Sequence, residues 1–254
     1  MVNWEDMKNL QLAYLKAGVP NQDVPQDHIF LTSIYRFAAK NNIKLIISGG
    51  NIATEGIFPE SWLWSNNDSI NLKDIYKKYT KKSFINYETT NIFQYYFWYP
   101  FIKQIRVLRP LNFMEYNKSK AIKELSEKLG YKPYERKHGE SVFTSFYQNH
   151  YLPKKYGYDK RLPHYSSLIN SGQLTRLKAL ELLEEPLYEK NNLKFDKLYI
   201  AKKLGISILD LDDFINSKKT SHSFFKNWSK YYKFIKKLKN IYMRIFKKKL
   251  RVYS

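Results

Sequence analysis

The sequence predicts an α/β segment, then an all-helical region, then a basic tail. Three observations carry this reading. The apolar run at 43–47 directly follows a helical pattern, the rhythm of an α/β unit. A second apolar run, "IRVLRPL" at 105–111, precedes a capped helical pattern at 117–131. Beyond about residue 140 the strand signals stop and only helical periodicity remains.

In chain order, Trp4, Met7, Leu10 and Leu15 form a helical stripe that Gly18 terminates. "VPNQDVPQDH" (19–28) reads as a polar loop, with Pro25 placed to open a helix running to about Asn41. The strand at 43–47 then runs into "SGGN", a glycine turn. "LKDIYKKY" (72–79) is a short helix, and "NIFQYYFWYPFIKQ" (91–104) is too aromatic all round to bury a single stripe. The strand at 105–111 leads to the helix 117–131, which Gly130 ends. Further helices are predicted at 142–152, at 164–171 closed by Gly172, and at 175–185 stopped by Pro186. Two more follow at 193–204 and 208–216, the last opening on a Ser207/Asp210 capping-box spacing. No internal repeat is present. The organisation is 1–138, 139–217 and 218–254.

Composition narrows the function classes. Hydrophobic residues make up 43% of the 254, enough for a globular core. There is no cysteine, which removes disulfides, thiolate catalysis and Cys-type zinc sites. No apolar stretch reaches membrane-span length, and the start lacks the form of a secretion signal. The expected location is the cytoplasm. A net charge of +21 suggests nucleic acid, but 13 of the 44 Lys and Arg, and none of the 23 Asp and Glu, lie from Lys218 onward. The other 217 residues carry only +8, so the charge belongs mainly to one appendage.

Several clusters suit chemistry. Ser48, Gly49 and Gly50 at a strand's carboxyl end fit a backbone ligand cradle, with Asn51, Thr54 and Glu55 adding polar contacts; they equally fit a plain turn. Asn21, Gln22, Asp23, Gln26, Asp27 and His28 are dense enough for Mg²⁺ or ribose hydroxyls, or for a solvated loop. Arg109, at the end of the second strand, suits a phosphate or a surface rim. Lys154, Lys155, Lys160 and Arg161 alternate with Tyr156, Tyr158 and Asp159 ahead of His164. Such a mixture suits a phosphorylated, hydroxyl-rich ligand, or single-stranded nucleic acid. No metal-ligand spacing predicts zinc. Ala201, Gly205 and Leu211 match helix-turn-helix spacing, but Asp210, Asp212 and Asp213 would repel phosphates, so this reads as a helical hairpin. The tail alternates aromatics and lysines at near-helical spacing. It suits an anionic membrane, an acidic partner, or packing on its own domain.

Taken in order, "LQLAYLKAGVPNQDVPQDH", "ISGGNIATE", "VLRPLNFMEYNK", "YLPKKYGYDKRLPHYSSLINSGQLTR" and "KALELLEEPLY" resemble the bacterial N-acetyl sugar amidotransferases of surface-polysaccharide (LPS, O-antigen) biosynthesis, within the PP-loop ATP-pyrophosphatase superfamily. The resemblance runs from Trp4 to about Asn216. It implies a partial doubly wound parallel sheet followed by a helical substrate region. It also implies ATP and Mg²⁺ as cofactors, and conversion of an acetamido to an acetamidino group on a nucleotide-linked sugar. Ammonia would come from a partner glutaminase subunit. Asp23, Asp27 and His28 would line the catalytic face. Gly49, Gly50, Asn51, Glu55 and Arg109 would face the nucleotide. Lys154, Lys155, Asp159, Lys160, Arg161 and His164 would hold substrate.

The family's Ser-Gly-Gly-x-Asp-Ser loop has no counterpart here, because Ser48-Gly49-Gly50 continues as Asn51-Ile52-Ala53. The expectation is a chain that completes its ATP site only with a complementing PP-loop segment. A missing first strand would leave an apolar edge at 43–47. Two other readings stand beside this one: a fragment of a PP-loop tRNA-modifying enzyme, and a non-catalytic protein docking on a membrane or partner, at the inner membrane face.

Overall fold

The computed structural model describes residues 3–80, 87–133 and 141–246. Helix α1 (Trp4–Ala17) begins where the Asn3 side chain accepts from Asp6 N at 3.1 Å and ends on Gly18 in the left-handed conformation, φ 61°. It packs most heavily on α4 (Ser69–Thr80). Leu10, Tyr14 and Ala17 join Leu72, Ile75 and Tyr76 of α4 in one apolar cluster. Leu15 points into a second, with Phe146, Tyr151, Ile200, Leu204, Leu211 and Ile215. A helix buried on two faces is the hub of a core, and each large apolar side chain so buried contributes about 1.5–3 kcal/mol.

The segment at 19–28 is less of a loop than its polarity suggests. Helix α2 (Val24–Lys40) starts at Val24 with proline in its first turn. Asp27 and His28 therefore sit on a helix, with His28 fully buried. Gln22 is also fully buried. Its Nε2 donates to the carbonyls of Tyr14 and Val19 at 2.9 Å, which ties the α1–α2 connection into the core.

The sheet is smaller than expected. β1 (Leu45–Ile47) and β2 (Arg106–Leu108) pair in parallel, Ile46 opposite Val107, and no further strand joins them among the described residues. Two local features shorten the strands. Asn42 adopts φ 55° and Ile43 N still bonds Ala38 O at 2.8 Å, so 43–44 belong to the helix exit. Pro110 has no N–H to give a ladder and starts a 3₁₀ turn, Pro110–Asn112. One sheet face packs on Tyr35 and Tyr99; on the other, Leu45, Ile47 and Leu108 remain 50%, 70% and 39% exposed. Between the strands run α3 (Ile52–Glu55), α4 and a π-helical segment, Gln94–Ile102, formed by the aromatic stretch. After β2, α5 (Lys118–Leu129) is capped by Asn117 and ends on Gly130 at φ 67°.

The rest is helical. Residues 142–156 form one continuous rod: α6 (Val142–Phe146), a π-helical turn (Tyr147–Tyr151), and α7 (Leu152–Tyr156). Then come α8 (Arg161–Asn170), α9 (Arg176–Glu184), α10 (Lys190–Leu204) and α11 (Ile208–Asn216). Gly205, at φ 68°, turns α10 into α11, and the Ser207/Asp210 capping box is present. Of the three aspartates on this hairpin, Asp210 caps and Asp212 pairs with Lys197. His222, Phe225 and Trp228 are buried, so the tail enters the core before α12 (Ser229–Phe246) begins. The basic residues at 247–254 lie outside the described residues.

Candidate functional site

The glycine turn docks on α8. Ile57 N donates to Ser167 Oγ at 3.0 Å, Ser171 Oγ to Ala53 O at 2.9 Å, and His164 Nδ1 to Thr54 O at 3.1 Å. Asn51 caps α3 through Thr54 N at 2.9 Å, and Ile52 N bonds Asn112 Oδ1 at 2.8 Å, which locks the turn to the end of β2. Neither Gly49 nor Gly50 adopts a left-handed φ. A Cβ on Gly50 would lie 3.6 Å from Arg109 Nε and 3.8 Å from Glu55 Oε2, so the turn, Arg109 and Glu55 form one group. Arg109 Nε is buried without a hydrogen-bond partner among the described residues, a donor suited to an anion.

A cavity adjoins this group at Glu55, and a second opens beside the first. The first, of about 710 Å³, is lined by Asp23, Asp27, Glu55, Thr54, Phe58, Asn66, Ser141, Lys160 and His164, among others. The second, of about 570 Å³, is lined by Lys118, Asn149, Lys160, Arg161, His164, Tyr165 and Gln173, among others. Gln148, Lys160 and His164 line both and form the boundary between an acidic lobe and a basic one. Lys160 Nζ lies 4.1 Å from the centroid of the Phe58 ring.

Asp27 and His28 meet through a residue that sequence reading passed over. His28 Nδ1 donates to Asn66 O at 2.9 Å and His28 Nε2 accepts from Thr90 N at 3.3 Å, which fixes one tautomer. Asn66 Nδ2 in turn donates to Asp27 Oδ2 at 2.7 Å. Burial holds His28 near pKa 4, a neutral positioning group. Burial, with the Asp23 carboxylate adding to it and Lys160 opposing, raises Asp27 to about 7. A carboxylate poised near neutrality can accept or return a proton at working pH.

That shift has a stability consequence. The folded pKa of Asp27 lies above its unfolded value, so the native state binds the proton more tightly and loses stability as pH climbs from about 4 to about 7. Asp27→Asn keeps an acceptor for Asn66 and removes the charge. It is expected to stabilise the fold by roughly 2–4 kcal/mol at about pH 8 and hardly at all near pH 4. Urea denaturation at the two pH values reads this directly, and equal effects at both would contradict it.

The other expected residues divide. Asp159 is bound to Arg161, with Oδ2 2.8 Å from Nη2. Arg161 Nη1 donates to Glu185 O at 2.8 Å and Leu182 O at 3.2 Å, so it lines the basic lobe while holding the end of α9. Lys155 is turned away from both cavities: Nζ lies 2.9 Å from Phe214 O, 2.7 Å from Ser217 O and 2.9 Å from Ser217 Oγ, where it closes α11. Lys154 is exposed and lines neither lobe. Gln148 and Asn149 went unread in the sequence because they lie within the π-helical turn, whose wider winding re-aims side chains out of the 3.6-residue pattern.

Residues 140–239 match the family model described as "LPS biosynthesis protein WbpG-like, C-terminal domain". The match takes in Gln148, Lys160, Arg161 and His164 and is consistent with a biosynthetic role in LPS assembly. No curated protein and no solved structure matches the chain.

Proposed function

We propose that this chain supplies the substrate-binding part of an ATP-dependent, AMP-forming amidotransferase of LPS biosynthesis, which converts an acetamido group on a nucleotide-linked sugar to an acetamidino group. The observation that carries the reading is the two-lobed cleft, acidic on one side and basic on the other, joined at Gln148, Lys160 and His164. A diphosphate-linked amino sugar is such a ligand, with anionic phosphates at one end and an uncharged, hydrogen-bonding amide at the other.

In this reading the basic lobe takes the sugar nucleotide's phosphates with Lys160 and Lys118, while the acidic lobe holds the acetamido group. Asp27, oriented by Asn66, accepts a proton from the attacking ammonia. Arg109 Nε, beside Gly50 and Glu55, faces the ATP phosphates. ATP, when bound, supplies the adenylyl group that turns the amide oxygen into a leaving group. No group of three His, Asp or Glu residues among the described ones is arranged to hold a metal. Mg²⁺ is expected to enter on the nucleotide's phosphates. A PP-loop segment is expected to pair its strand with the edge of β1 and to pack on the face that carries Leu45 and Ile47, and a separate glutaminase delivers ammonia.

The test is amidine formation. Supplied with a PP-loop-bearing partner chain, ATP, ammonia and a UDP-linked N-acetyl sugar, the protein should yield the acetamidino product and AMP, detected by mass spectrometry. Product formed at the same rate without this chain would sink the proposal.

A further inference from the structure

The π-helical segment Gln94–Ile102 has two unlike faces. Tyr99 is buried and stacks on Tyr35, ring centroids 4.9 Å apart, and Tyr95 meets the same Tyr35 edge-on at 5.7 Å. Those contacts fix the segment to α2. On the outer side Phe93, Phe97 and Phe101 follow at four-residue spacing, centroids 5.0 and 5.8 Å apart, and are 56%, 45% and 51% exposed. Trp98 and Ile102 beside them are also exposed, with Lys103 Nζ 5.9 Å from the Trp98 centroid. A contiguous apolar ridge of this kind on a protein surface marks a contact site.

The ridge adjoins α12. Tyr96 meets Trp228 and Tyr232 at 5.9 and 5.8 Å, which sets the start of α12 against the π-helical segment. On α12, Tyr231, Phe234 and Ile241 are exposed, and Lys230, Lys233, Lys236 and Lys237 interleave with them. Charge is one-sided on both elements. Residues 89–114 contain Lys103, Arg106 and Arg109 and no Asp or Glu, and residues 218–254 contain no Asp or Glu either. No helix among the described residues is long and apolar enough to cross a membrane.

We propose that the Phe93–Phe97–Phe101 ridge and helix α12 together form a docking face for an anionic lipid surface. The phenylalanines enter the acyl boundary, the aromatics of α12 lie at headgroup level, and the lysines meet lipid phosphates. The three rings pack on one another, tilted by 31° and 36°, as one continuous apolar ridge rather than as separated platforms. That arrangement suits acyl chains better than stacked nucleobases. The complementary charge is a dense anionic plane, which a bilayer rich in acidic lipid supplies.

The test is co-sedimentation of the full chain with phosphatidylcholine vesicles, with and without phosphatidylglycerol. Binding is expected only with the acidic lipid and should weaken as salt rises. Two variants divide the contributions: Phe93→Ser with Phe97→Ser and Phe101→Ser, and Lys233→Gln with Lys236→Gln and Lys237→Gln. Each set should lower the vesicle partition coefficient about tenfold or more while circular dichroism and melting stay unchanged. Equal binding to both vesicle types, or binding that neither variant weakens, overturns the proposal. So does an oligouridine captured through the same phenylalanines while vesicles are ignored, or a ridge variant that alters only self-association.

Discussion

Replacing Lys155 by methionine is expected to destabilise the protein by about 3 kcal/mol and to lower its melting temperature by roughly 6–12 °C. The side chain is 4% exposed and runs to the end of α11, where Nζ bonds three main-chain carbonyls, of Phe214, Ile215 and Ser217, and the Ser217 hydroxyl. Methionine keeps the stem and removes every donor, so the last carbonyls of α11 lose their partner at a part-buried helix end, with Ile215 O the buried one. Helix α11 contributes Leu211 and Ile215 to the cluster that also contains Leu15 and Tyr151, so loosening it reaches the hub helix. Lys154→Met, one residue away and exposed, should stay within about 0.5 kcal/mol. Thermal melting of the pair separates a structural lysine from a solvated one. Equal, small effects would show that α11 closes without Lys155.

Lys160→Gln is the second large effect, and it concerns binding rather than stability. Lys160 borders both lobes, sits over Phe58, and is one of the positive charges acting on Asp27. Removing one cation from a partly enclosed phosphate site should weaken a UDP-linked sugar about tenfold to a hundredfold, because charge-assisted bonds are worth about 1.5–3 kcal/mol each. The same change removes a positive charge that lowers the Asp27 pKa, so that carboxyl should titrate higher in the variant. Calorimetry reads the affinity, and NMR titration of Asp27 reads the coupling. An unaltered affinity would place the phosphate elsewhere.

The sequence showed most clearly what depends on one or two residues. Gly18, Gly130 and Gly205 each end a helix in the left-handed conformation, Asn117 caps α5, and Ser207 with Asp210 opens α11. It was less informative where neighbours decide. The strand at 43–47 lost two residues because Ile43 N stays bonded to the preceding helix, and two tyrosines buried in a π-helical turn lengthened the rod at 142–156. Site residues followed the same division. Residue type alone flagged Asp27, Lys160 and His164, which line the cleft. It could not tell Lys155 from Lys160, since only packing shows which ammonium faces carbonyls. Nor could it find Asn66, whose link from His28 to Asp27 spans 39 residues of chain. The meeting of the glycine turn with α8, through Ile57 and Ser167, spans 110 residues and has no local signal.

What the cleft selects decides its role. The most direct measurement is calorimetric titration of the full chain with UDP-N-acetylglucosamine and, in parallel, with UDP-glucose, which differs by lacking the acetamido group. A cleft whose acidic lobe hydrogen-bonds that amide should bind the N-acetyl sugar nucleotide at least about tenfold more tightly. Equal affinity for the two, or no binding of either, would contradict the assignment of the cleft to an acetamido sugar.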